Sequence, residues 1–281
     1  MLQTPRWTCP TCVELRVTAF CPRCGEEPLA PRDLTLRGFA EKLLHAFTSV
    51  DARAVRTARR LLRNPGHLTV AWTRGVRKPY VAPFQFFLIA NVIFFATQSL
   101  SGQTVLSSTL DSHLHHQDWS ELAQSLVTER MAATRTDLKE FAPAFDRAVV
   151  LNAKSLIVLM TMPFALILPV VFFREHRPFM AHVVFSLHLY TFLLLLFCLA
   201  LLAAKASALL GIGGLESASV DNVISVANLA ACMLYVYLAI GPAYGATGAP
   251  RVLKAVVLAV AVAAIVVGYR FLLFVITLHA M

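Results

Sequence analysis

Four cysteines open this chain in two pairs, Cys9-Pro-Thr-Cys12 and Cys21-Pro-Arg-Cys24. Each spacing sets two thiolates on one tight turn. Two such turns facing each other make a tetrahedral four-sulfur site, the geometry of structural zinc. Gly25, after the second pair, lets the backbone fold back toward its sulfurs, whereas Val13 follows the first pair. Zinc outranks a pair of disulfides and a dithiol redox site, since the redox motif belongs beside a βαβ unit that nothing here signals. Four thiolates leave no open position, so the predicted Zn2+ is structural and supplies folding energy to a ribbon with almost no core. Reduced thiolates also predict a cytoplasmic head.

A second set of residues offers electrostatic chemistry. In DARAVRTARRLLRNPG, helical spacing puts Arg53, Arg56, Arg59, Arg60 and Arg63 on one side and Ala54, Val55, Ala58, Leu61 and Leu62 on the other. Asn64-Pro65-Gly66 ends the segment. Upstream, Leu36, Phe39, Ala40, Leu43, Leu44 and Phe47 form another apolar stripe. Five arginines suit the anionic surface of a bilayer, at about 1 kcal/mol per basic residue. A helix packed on the ribbon, or a protein partner at the head, is the alternative. Nucleic acid ranks last, because the ribbon offers no aromatic stacking set beyond Trp7 and Phe20.

These heads need an anchor, and the composition supplies one. Of 281 residues, 57% are hydrophobic and only 15% charged, against roughly 25% charged in soluble domains. Mean hydropathy is +0.65. An integral membrane protein follows, with the lipid bilayer as its first partner. Charge-free windows predict five spans, at about 81–100, 154–173, 179–204, 222–243 and 253–278. The outer loop 101–152 is expected to hold one short amphipathic helix carrying Trp119, Leu122, Leu126 and Val127. No apolar stretch before Val81 has the form of a signal-peptide core, so the first span is expected to stay as an anchor. The predicted fold is mainly α: a polytopic bundle of five transmembrane helices with a small N-terminal zinc ribbon. Its parts are a ribbon at 1–30, basic amphipathic helices at 31–78 and a membrane domain at 79–281.

Net charge is +9, and residues 1–80 hold fourteen basic against six acidic groups. With that head inside, eighteen Lys/Arg fall on the inner side and seven on the outer. The positive-inside rule then predicts a multi-pass protein of a bacterial inner membrane, N-terminus cytoplasmic and C-terminus outside.

Polar groups within the spans form the third candidate set. Asn91 and His188 fall near the expected midplane, Asn228 in the outer half, and Arg270 near the outer headgroups. Interhelical hydrogen bonding outranks a proton or small-ligand site. His182 is expected at a basic rim with Arg174, Glu175, His176 and Arg177, and His113, His115 and His116 in a solvated outer loop.

The chain resembles a family of bacterial membrane proteins known as domain of unknown function 3667. The resemblance rests on the paired cysteines, on VDARAVRTARRLLRNPGHLTVAWTRGVRKPYVAPFQFFL, on MPFALILPVVFFREHRPFMAHVVFSLHLYTFLLL and on YVYLAIGPAYG. It implies a zinc-ribbon head and several spans, with no activity attached. Members often carry an acid where this chain has Ala181.

No phosphate-binding loop, HExxH or GxSxG motif occurs. The expected function is a non-enzymatic membrane protein whose ribbon and arginine helix bind a partner or anionic lipid. The alternative is a small permease or channel-like protein using the polar residues of the spans. A catalytic pair of His182 and His188 trails, because two residues six apart do not share a helix face.

Overall fold

The computed structural model describes residues 7–8, 15–16, 52–76, 79–102, 106, 108–211 and 218–281. Its contacts divide the chain into two compact units, Met1–Arg53 and Ala54–Met281. In the first, strand β1 (Trp7–Thr8) pairs antiparallel with β2 (Leu15–Arg16), with Thr8 opposite Leu15. Cys9, Cys12, Cys21 and Cys24 lie outside the described residues, as does the apolar stripe expected over 36–47.

The described residues of the second unit form helices joined by turns. After α1 (residues 52–63) come α2 (His67–Thr73), α3 (Pro83–Ser101), α4 (Leu110–His115), α5 (Ser120–Thr134) and α6 (Leu138–Leu156). Then follow α7 (Thr161–Val171), α8 (Phe179–Leu209), α9 (Ala218–Tyr244) and α10 (Gly248–Ala280). The expected windows become helices where lipid-length apolar runs predict them. Pro83 opens α3 at a position that needs no N–H, and Gly102 closes it at φ 73°.

Among the described residues, α3, α8, α9 and α10 are long and apolar enough to cross a membrane. Large side chains such as Val92, Val170, Leu199, Val226 and Leu253 point outward uncovered. Such a surface is costly in water and costs nothing against hydrocarbon. The second expected span takes a different form. Instead of one straight helix at 154–173, a bent pair, Leu138–Lys154 and Ile157–Val171, meets at 58°. A 3₁₀ turn, Ile157–Met160, separates α6 from α7. Pro163 explains the break: it has no N–H for the carbonyl of Leu159, so the α-helical ladder cannot run through. Thr161 instead donates to the carbonyl of Val158 at 2.8 Å.

The segment expected to be a loop with one helix therefore holds α4, α5 and most of α6. Phe141, Phe145, Val149 and Ala153 form a buried stripe at spacing four along α6. That stripe faces the core shared with α10. Tyr269 donates to the carbonyl of Ala153 at 3.0 Å, and Asn152 to the Thr277 hydroxyl at 3.0 Å. At the centre of the bundle, α8 packs on α3, α7 and α9.

Candidate functional site

The arginine helix is built onto the bundle. Along α1, Thr57 and Leu61 are buried, with Ala54 and Ala58 half-buried beside them, one stripe at spacings of three and four. Val55 and Leu62, expected on the inner face, are instead 68% and 55% exposed. Thr57 replaces them, its hydroxyl accepting the backbone N–H of Val81 at 3.1 Å. This rotates the docking stripe toward Thr57 and leaves Val55 and Leu62 as an exposed apolar flank. Arg53, Arg56, Arg59, Arg60 and Arg63 are all exposed, on the side away from that stripe. Arg60 donates to the Asn64 side chain at 3.1 Å. Arg56, Arg59 and Arg63 have no acidic partner among the described residues.

The turn after α1 fixes its angle. Gly66 sits at φ +83°, where a Cβ would lie 2.4 Å from the carbonyl oxygen of Ala239 and 2.9 Å from Pro242. Only glycine permits both the conformation and that approach to α9. From there α2 runs in against α8 and α9, burying Leu68, Thr69 and Ala71. Its deepest polar contact is a hydrogen bond of 3.0 Å between the Thr69 hydroxyl and His188 Nδ1, both groups buried. His67 meets the Tyr80 hydroxyl at 3.3 Å and packs edge-on to its ring. Burial holds the His67 pKa below its ordinary value, with Arg60 and Arg74 adding repulsion.

Around this insertion the same end of the bundle is tightly stacked. Phe172, Tyr244 and His182 form a column, with ring centroids 4.0 and 5.5 Å apart and planes within 8° and 11° of parallel. The Tyr244 hydroxyl bonds His182 Nδ1 at 2.9 Å. His182 is thus a buried core residue, while Arg174, Glu175, His176 and Arg177 alone form the exposed rim. Pro242 leaves the Leu238 carbonyl without its helical donor, and Arg251 supplies one at 3.3 Å while bonding the Tyr237 carbonyl at 2.8 Å. Glycine at 241 leaves room for this, since a Cβ there would lie 2.7 Å from the guanidinium and push it aside.

The four polar residues expected within the spans do not converge. His188 pairs with Thr69, a partner from α2 and not from a span. Asn91 is buried on α3, and Asn228 is half-buried on α9. Arg270 donates twice to the Ser108 hydroxyl, at 3.0 and 2.6 Å, where the connection after α3 crosses the far end of α10. At that end His113 also departs from expectation. It is 1% exposed, accepts from Trp119 Nε1 at 3.2 Å and lies 4.7 Å from the Phe274 ring. Burial, then the Arg270 charge, pushes its pKa down to about 4. His115 and His116 stay exposed. His115 pairs with Asp111 at 3.0 Å, and no third metal-ligating side chain joins them among the described residues.

Sequence reasoning missed Thr57, Gly66, Thr69 and Tyr244 as positioning groups. Thr57 carried a signal, lying three and four residues from Ala54 and Leu61. Gly66 was read as a helix stop, which it is, and its contact with α9 had no local signature.

The fold and this site define a helical protein with several segments able to cross a membrane. Within it, residues 51–95 match the model of a family described as a protein of unknown function (DUF3667). The match covers α1, the Asn-Pro-Gly turn, α2 and most of α3, which together make the docked arginine helix and the span that follows it. No curated protein and no solved structure matches the chain.

Proposed function

We propose that this chain is a non-enzymatic multi-pass protein of a bacterial inner membrane whose α1 binds anionic lipid headgroups. The observation that carries the reading is the orientation of α1. Its narrow inner stripe is taken up by the bundle, so the arginine face stays outward with Val55 and Leu62 beside it. A cationic face edged by exposed apolar side chains is the pattern of an interfacial helix. The helix is also tied to the start of the first span by the hydrogen bond from Val81 N–H to Thr57, which keeps it at headgroup level. The excess of basic residues before Val81 supports placing this end, and the N-terminus, in the cytoplasm. The C-terminus then lies outside.

The head ahead of α1 is proposed to be a structural zinc ribbon on Cys9, Cys12, Cys21 and Cys24. Strands paired on either side of the first cysteine pair are in keeping with a knuckle there. When bound, zinc would supply folding energy and no open site for catalysis. Full-length protein should carry one zinc per chain, lost in Cys21→Ser.

Lipid binding is tested with a fluorophore on Leu62→Cys in full-length protein placed in nanodiscs. Discs containing phosphatidylglycerol should shift its emission to the blue and allow quenching by a lipid-borne quencher. Arg56, Arg59, Arg60 and Arg63 replaced by Gln should abolish both. A label equally open to an aqueous quencher in neutral and anionic discs rejects headgroup binding and leaves a cytoplasmic protein partner.

A further inference from the structure

We infer that a small cavity at the far end of α10 receives a zwitterionic phospholipid headgroup of the phosphatidylethanolamine kind. The inference rests on the membrane-spanning reading but not on the arginine helix. The cavity, of about 160 Å³, is lined by Leu126, Glu129, Arg130 and Ala133 of α5 and by Leu278 and His279 of α10. A single water needs only ~10–15 Å³, so the space suits a headgroup and is too small for a whole lipid.

Its chemistry is specific. The Arg130 guanidinium is half-buried, and its Nη2 makes only a long contact of 3.5 Å to the carbonyl of His279. A guanidinium held by one long bond to a neutral carbonyl has forked N–H groups to offer, and an anionic oxygen is their natural acceptor. Glu129 on the same wall supplies the opposite charge. One cation and one carboxylate select a ligand with one phosphate and one ammonium. Leu126, Ala133 and Leu278 provide an apolar edge for the start of its acyl chains.

Depth agrees. Leu278 lies twenty-four residues beyond Lys254 on one helix, about 36 Å at ~1.5 Å per residue. A hydrocarbon core of ~30 Å leaves Leu278 in the headgroup layer opposite Lys254. The arginine face and this cavity thus sit at opposite ends of the bundle, and failure of one leaves the other standing.

The test is native mass spectrometry of full-length protein in mild detergent. It is offered equal phosphatidylethanolamine, phosphatidylglycerol and phosphatidylcholine with matched chains. Retention of phosphatidylethanolamine should exceed the others roughly threefold, the worth of one partly exposed ion pair. Arg130→Gln should cut retention of all three about tenfold. Glu129→Gln should erase the preference while sparing phosphatidylglycerol. Should Arg130→Gln fail to fold, Arg130→Lys keeps the charge, removes the forked pair of donors and should still weaken retention. Equal retention of the three lipids, or unchanged binding in a folded Arg130 variant, overturns the inference. So does displacement of the lipid by free phosphoethanolamine at equal concentration, which would make the ligand a soluble zwitterion.

Discussion

The two ends of the helical unit handle charge in opposite ways. Where α1 and α2 dock, the close contacts are small and neutral: Gly66 on Ala239, Thr57 on Val81, Thr69 on His188. The charged groups of α1 all face outward. At the far end a buried histidine instead lies beside a cation. His113 is buried against Phe274 and Trp119, and Arg270 is tied to Ser108. Free energy is therefore stored differently. The first end should respond most to changes of shape, and the second should add an acid response from His113, where the Arg270 charge reinforces burial.

Shape gives the largest expected effect. Gly66→Val must hold a β-branched residue at φ +83° and push Ala239 away. The left-handed backbone costs roughly 1–2 kcal/mol, and overpacking adds about 1–3 kcal/mol. Gly75 provides the control, having the same φ of +83° with nothing within 4 Å. Gly75→Val should cost the backbone part alone. Thermal melts in detergent should rank wild type above Gly75→Val, and that well above Gly66→Val. Equal losses at the two positions would mean that α2 is not wedged against α9.

How much of this was legible beforehand follows the same division. The spans are readable because charge-free runs of lipid length have few other uses: α8, α9 and α10 contain their predicted windows, and α3 begins two residues after the start of its own. The arginine face was readable from three- and four-residue spacing alone. Its inner face was misassigned, because Val55 and Leu62 are more apolar than Thr57 while helix geometry puts Thr57 inside. Most of α6 reads as loop in the sequence because Lys139, Glu140, Asp146 and Arg147 interrupt it. The stripe Phe141, Phe145, Val149 and Ala153 was nonetheless present. The pairing of Thr69 with His188 spans 119 residues, and nothing local encodes such a contact.

Acidification should expose the far end. The ordinary histidine pKa near 6.5 falls to about 4 for His113 in the fold, chiefly by burial and secondarily through Arg270. The folded state therefore favours the neutral ring. Its stabilisation is complete above about 6.5 and is lost progressively as pH drops toward 4, by at most roughly 3 kcal/mol. His113→Gln retains an acceptor for Trp119 and does not titrate. Its melting temperature should fall less steeply than that of wild type between pH 7 and pH 4.5. Parallel slopes would place the acid sensitivity elsewhere and erase the contrast between the ends.

The smallest effect tests whether the docked end really is held by neutral contacts. His188→Leu leaves the Thr69 hydroxyl without its partner, and Thr69→Val does the same to the imidazole. Each should cost about 1–2 kcal/mol, since a buried polar group is left unpaired. The double variant replaces both with apolar groups of similar shape, so it should be more stable than the sum of the single losses predicts. Coupling energies between polar groups in membrane bundles average about 0.6 kcal/mol, and a double-mutant cycle resolves that magnitude. A cycle that closes at zero would show that Thr69 and His188 merely lie near each other. Gly66 would then be the anchor of α2, and the arginine face would owe its position to backbone packing alone.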